Sequence, residues 1–203
     1  MKMLSKNECL RLMCDMFMPD HIFAHSIQVW RVARCLTDHL RSKGNHLDGQ
    51  LVQAAALLHD ITKSRSFNTA ENHALTGGQT CADLGYPEIG DLVRQHVRLD
   101  DYSNPKAISE AVIVNYADKR VLHDRIVSLD ERMRYIQERY GTQPQHKHRI
   151  RLLWGKTQVL EKQIFKQLPF LPENLYRHLA EMDISREIAN YHRMCSQPSN
   201  GSG

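Results

Sequence analysis

Between Asp20 and Gly44 the apolar residues Phe23, Ile27, Trp30, Ala33, Leu36 and Leu40 return every three or four positions. That spacing lays them along one stripe of a long amphipathic helix, which Gly44 closes. The pattern is not confined to one segment. Leu51, Ala54, Ala55, Leu58 and Ile61 mark a second helix whose small residues let a neighbour approach closely. Residues 62–72 read as a polar loop, His73 opens a short helix that stops at Gly85, and another runs from Pro87 to about Arg98. Asn104-Pro105 supplies an N-cap and a first-turn proline for a helix carrying Asp118. From Leu122 the positions Ile126, Leu129, Met133, Ile136 and Tyr140 predict one long helix ending at Gly141. Two further helices are expected over about 145–168 and 173–195, parted by Pro169 and Pro172. No segment sustains the alternation of a half-buried strand, so the expected fold class is all-α.

A chain of 203 residues is long enough to bury a substantial core as one folded unit. Its expected organisation is a helical core over 1–141, a helical extension over 142–195 packed on that core, and a disordered tail over 196–203. No apolar run approaches membrane-spanning length and the polar start lacks a signal-peptide core, which makes a cytoplasmic location the expectation. The five cysteines, Cys9, Cys14, Cys35, Cys81 and Cys195, are odd in number and never spaced C-x-x-C. They read as reduced, mostly buried thiols. The net charge of +4 hides an asymmetry: residues 1–144 carry 18 basic and 18 acidic side chains, the remainder 9 and 5. A basic terminal helix can attract phosphates or RNA, but a solvated face is the plainer reading, so a nucleic-acid partner is not favoured.

Chemistry concentrates in the stretch AALLHDITK, where His59 and Asp60 stand together at the end of an apolar helix. Burying an ionised aspartate costs several kcal/mol unless a metal or a charged partner compensates it. One such doublet is equally well explained as a polar pair capping a helix end. Further donors shift the balance: His25 upstream, His73 and His96 downstream, and Asp118 beyond. Imidazole and carboxylate ligands without cysteine suit divalent Fe, Mn, Co, Zn or Mg.

The order H…HD…H…H…D over roughly residues 20–125 resembles the HD superfamily of metal-dependent phosphohydrolases. His25 in HSIQVWRVA, His59-Asp60 in LLHDITK and Asp118 in NYADK match its metal-binding residues. The resemblance implies an HD-domain helical bundle with additional C-terminal helices. It also places His73 in HALTGG and His96 in VRQHV where two-metal members add ligands, with Asp60 bridging two ions. The most similar-looking subgroup is that of the bacterial HD-type diadenosine tetraphosphate hydrolases and HDIG proteins. Thr62 departs from it by standing where HDIG has glycine, and the chain continues well past residue 120.

The implied activity is hydrolysis of a phosphoester or phosphoanhydride, of a nucleotide as small-molecule substrate, by metal-activated hydroxide. Two divalent cations about 3.5–4 Å apart bring a shared water near neutrality in pKa. Asp60 and Lys63 are the candidate catalytic residues, and Lys63, Arg94 and Arg98 are candidates for holding phosphate. Each cation has a plain structural alternative, as a helix-terminal partner of the macrodipole or a solvated surface charge. Asp100 and Asp101 read as carboxylates that orient a ligand histidine or as solvated loop carboxylates. His21, His39 and His46 receive no role, and the second doublet, His123-Asp124, reads as a surface ion pair. Two other functions stay open: a di-iron oxygenase built on the same six ligands, and a non-catalytic module that binds metal and nucleotide.

Overall fold

The long apolar stripe forms helix α2 (Asp20–Ser42) of a computed structural model that describes residues 3–69, 71–102 and 108–197. Every residue from Ile22 to Trp30 is buried, so the first turns of α2 are enclosed on all sides. His25 lies inside that stretch. Helix α1 (Lys6–Asp15) precedes it, started by a capping box in which Ser5 and Glu8 satisfy each other's backbone donors. Helix α3 (Gly49–Leu58), capped by Asp48, lays Ala54, Ala55 and Ala56 against its neighbours with no exposure. Small side chains allow that approach, and the sequence then ends the helix at His59.

A single turn, α4 (Lys63–Ser66), follows in the stretch expected to be loop. Helices α5 (His73–Asp83) and α6 (Pro87–Gln95) form a close pair; Asn72 caps the first and Pro87 opens the second. Helix α7 (Glu110–Asp118) completes the core with Ile113, Val114 and Tyr116 fully buried. Packing α2 against α3 and α7 buries Phe23, Ile27, Leu36, Leu57, Leu58 and Tyr116. Each large side chain so removed from water stabilises the fold by about 1.5–3 kcal/mol.

The remainder differs from the sequence expectation in several places. The predicted helix from Leu122 is interrupted by an antiparallel hairpin, β1 (Val121–Leu122) and β2 (Arg125–Ile126). His123 adopts φ 56° in its turn, a left-handed conformation that no helix can contain. Only then does α8 (Leu129–Tyr140) begin, behind the Ser128 cap. The proposed Asn104-Pro105 cap lies outside the described residues; α7 starts at Glu110, with the Ser109 hydroxyl accepting from Val112 N–H. Helix α9 (Pro144–Phe165) forms as expected, but the final helix is split into a 3-10 helix (Pro172–His178) and α10 (Ile184–Cys195), which Asp183 caps. Of the tail, residues 198–203 lie outside the described residues.

The C-terminal helices return to the core. Helix α10 packs on α1 and α2, where Tyr191 stacks on Phe23 with ring centroids 4.1 Å apart. Helix α9 contacts α7 and α8. The buried Arg120 guanidinium joins these parts by donating to the carbonyls of Val127 and Pro172 and to the Tyr116 hydroxyl, which itself donates to Glu161 on α9. Cys14 and Cys195 form a disulfide between α1 and α10, correcting the expectation of five reduced thiols. Cys9, Cys35 and Cys81 are free and buried. Among the described residues no helix is long and apolar enough to cross a membrane.

Candidate metal centre

Four imidazoles reach one point from four helix ends or faces, and three have their orientation set by the backbone. His25 Nδ1–H on α2 donates to the carbonyl of His123 at 2.9 Å. His59, at the end of α3, donates from Nδ1 to the Ala56 carbonyl at 2.8 Å, and His96, at the end of α6, donates to the Val93 carbonyl at 2.7 Å. A carbonyl can only accept, so a proton belongs on each Nδ1, and the neutral ring then presents its Nε2 lone pair toward the interior. The helix ends make this possible: a residue in the last turn faces unsatisfied carbonyls three positions back.

The lone pairs meet other acceptors. His25 Nε2 lies 3.1 Å from Asp118 Oδ1, His59 Nε2 lies 3.4 Å from Asp60 Oδ2, and the Nε2 atoms of His73 and His96 are 3.2 Å apart. His59 Nε2 is buried without any hydrogen bond. Asp60 stands between the histidines, Oδ1 3.3 Å from His73 and 3.5 Å from His96, Oδ2 toward His59. So many electron pairs facing one another call for positive charge between them, and the residues fit divalent cations with mixed N/O ligation. Two groups, His25–His59–Asp118 and His59–Asp60–His96, have ligand atoms all within 4.8 Å of one another.

The electrostatics agree with that charge distribution. Burial would raise the carboxyl of Asp60, yet His59, His73 and His96 hold it well below the ordinary range. Burial is likewise overcome at Asp118 by Lys119, His25, Arg132 and His59. His59 lies above its usual pKa although burial opposes it, because Asp60 and Asp118 favour the charged ring; His96 is pushed down to about 4, chiefly by burial. Both carboxylates are therefore ionised acceptors at neutral pH.

The site opens into a cleft of about 220 Å³ bordered by His25, Asp60, Lys63, Phe67, Arg132 and Tyr135, among others. Lys63 Nζ bonds both oxygens of Asp60, at 3.3 and 3.2 Å, and reaches the cleft as its position near the doublet suggested. Arg94 and Arg98 do not. Arg94 is held outside by Asp91 and Asp100 at 2.6–2.7 Å, and the exposed Arg98 borders a different hollow with Tyr102 and Lys156. Asp100 accordingly serves Arg94 rather than a ligand histidine, and Asp101 borders that same hollow. A larger hollow near Arg41, Asp48 and Glu110 contains none of the metal-binding set.

His123-Asp124 is not a surface ion pair. It forms the hairpin turn, and its two carbonyls accept from His25 Nδ1 and Gln28 Nε2, which fixes the first histidine. His39, given no role as an exposed residue, is half-buried and donates from Nδ1 to the Cys35 carbonyl. Sequence reasoning also missed Lys119 and Asn115. The buried Lys119 ammonium donates to Asp118 at 2.9 Å and to the His96 carbonyl at 2.7 Å. Asn115 donates to the carbonyls of Gln95 and His96, anchoring the end of α6 on α7. Polar residues on an otherwise apolar helix were the available signal for both.

Residues 22–121 match the family model of the HD domain. A protein of Methanocaldococcus jannaschii described as uncharacterized is 25% identical over 147 residues, covering 66% of this chain and 86% of that protein. No solved structure matches the chain.

Proposed function

We propose, on the premise that this chain belongs to the HD domain family, that it hydrolyses a phosphoester or phosphoanhydride of a nucleotide. HD domains are in general metal-dependent phosphohydrolases. The observation that supports this reading is the fixing of His25, His59 and His96 by backbone carbonyls, so that their Nε2 lone pairs face Asp60 and Asp118. His25, His59 and Asp118 would hold one divalent ion, and Asp60, His73 and His96 would hold a second, with Asp60 between the two. Ions bound there supply an acidified water and neutralise charge on phosphoryl oxygens. Asp60 also orients Lys63, whose ammonium meets the substrate phosphate as a point charge. On this reading residues 1–141 form the metal-binding unit and 142–195 an extension packed on it.

Anaerobically purified protein is expected to contain bound divalent metal and to release phosphate from a nucleotide panel without consuming oxygen. Asp60→Ala should lose metal and turnover while keeping its helical content. An Asp60→Ala protein with full metal content and full activity would refute the assignment. Oxygen consumption with a di-iron spectrum would instead favour the oxygenase, and nucleotide binding without turnover the non-catalytic module.

A further inference from the structure

Helix α8 lies wholly beyond the family-matched segment, yet it forms one wall of the metal-site cleft through Arg132, Tyr135, Arg139 and Tyr140. Arg132 comes nearest the ligands, with Nη2 3.7 Å from Asp118 Oδ1 and only 14% of its side chain exposed. That separation is too long for a hydrogen bond. Asp118 Oδ2 already accepts from Lys119 at 2.9 Å, while Oδ1 faces the Nε2 of His25 at 3.1 Å. Arg132 Nε is buried and makes no hydrogen bond at all. A guanidinium is charged at any accessible pH and has five donors in a planar fork, so a half-enclosed arginine with unused donors is costly unless something fills them. It lies over Tyr135, 5.8 Å from the ring centroid, and that ring packs edge-on against His123. The fork is thus backed by an aromatic ring that itself rests on the turn holding His25.

We infer that Arg132 is a substrate-binding residue whose guanidinium grips the phosphoryl oxygens of a ligand seated at the metal centre, with Tyr135 supporting it from behind. This rests on the phosphohydrolase reading. A phosphoryl group matches the planar fork in two parallel hydrogen bonds, whereas a neutral ligand would leave the charge uncompensated. A metal held by Asp118 would take up its negative charge and leave Arg132 at the cleft with donors for a ligand. Lys63 and Arg139 border the same cleft and add positive charge around the incoming anion.

The test uses the full chain as wild type, Arg132→Gln and Arg132→Lys, each loaded with manganese. Metal content, calorimetric binding of inorganic phosphate and phosphate release from a nucleotide panel are measured for all three. Arg132→Gln is expected to keep its metal while phosphate affinity and kcat/KM both fall about ten- to hundredfold, the worth of charge-assisted hydrogen bonds. Arg132→Lys keeps a charge but lacks the fork, and should recover part of the loss. Loss of metal from Arg132→Gln would overturn the inference, since the arginine would then act by positioning Asp118. Unchanged phosphate affinity in a folded Arg132→Gln would overturn it too, as would a wild type that binds no phosphate. If Arg132→Gln does not fold, Arg132→Lys decides: phosphate affinity equal to wild type refutes the role and weakened affinity supports it. A wild type that binds phosphate through Arg132 but cleaves no ester would defeat the hydrolase reading and leave this one standing.

Discussion

Gly78 on α5 and Gly90 on α6 touch backbone to backbone: a β-carbon built at Gly78 would stand 2.7 Å from the Gly90 carbonyl oxygen, and one at Gly90 would run into the Gly78 carbonyl. This close crossing brings His73, at the start of α5, within 3.2 Å of His96, at the end of α6. Gly90→Ala must push the helices apart. It should cost about 1–3 kcal/mol in urea unfolding, the usual penalty for overpacking. Metal binding that depends on His73 and His96 should weaken with it. Wild-type stability and metal affinity in Gly90→Ala would show that the crossing does not position the two rings.

Thr62, the residue that departs from the HDIG pattern, has a use that glycine cannot supply. Its buried hydroxyl donates to the His73 carbonyl at 2.9 Å and lies 3.0 Å from the Thr76 hydroxyl, tying the start of α5 to the end of the His59-Asp60 segment. Thr62→Val keeps the shape and removes the bond. Stability should fall by about 1 kcal/mol, the worth of one hydrogen bond. Because His73 is then less firmly placed, the second metal equivalent should bind about tenfold more weakly, in keeping with other outer-shell losses. A metal titration indistinguishable from wild type would count against this role.

The residues that converge at the candidate metal centre were legible in the sequence because each carries its own chemistry. His59-Asp60 ends an apolar helix, where buried charge needs a reason, and the spacing of the other four followed the resemblance. What shapes the site around them was not legible. The His123 carbonyl that fixes His25 is a backbone atom, and any residue able to take φ 56° could supply it. Arg132 sits in a charged run, ERMRYIQER, where nothing marks one arginine as facing inward. The helix expected from Leu122 failed for a related reason: the apolar spacing of Leu122 and Ile126 suits a helix, yet a two-residue hairpin also buries Val121 and Leu122. Arg94 and Arg98 were near the ligands in sequence, but Arg94 lies on the outer side of α6 and Arg98 is exposed in the stretch after it, which spacing alone did not distinguish.

Asp60 faces both sides of the centre, Oδ2 toward His59 and Oδ1 toward His73 and His96, whereas each histidine offers a single Nε2 lone pair and so serves one ion. Single alanine substitutions should therefore be unequal. Asp60→Ala is expected to abolish binding of both ions, while His59→Ala, His25→Ala and His73→Ala should each weaken one and spare the other. Elemental analysis after dialysis, followed by metal titration, reads the difference. A His59→Ala protein that retained two tightly bound ions would mean that the ring is not a ligand.

The cysteines offer a check on the fold that does not involve the metal centre. The Cys14–Cys195 bridge closes a loop across 181 positions, and constraining so long a segment of unfolded chain is worth about 2–4 kcal/mol in typical proteins. The three free thiols are inaccessible and hard to ionise, since burial pushes Cys9 and Cys81 up to about 12 and Cys35 to about 11. A raised thiol pKa means the reactive thiolate is nearly absent at pH 8. Iodoacetamide should then leave the native protein unmodified, add three groups after unfolding without reductant, and add five after unfolding with reductant. Cys14→Ser should lower the urea midpoint by an amount that added reductant reproduces in wild type. Five groups in the unreduced unfolded protein would mean that Cys14 and Cys195 are thiols and that α10 is held on α1 by packing and the Lys6–Glu187 ion pair.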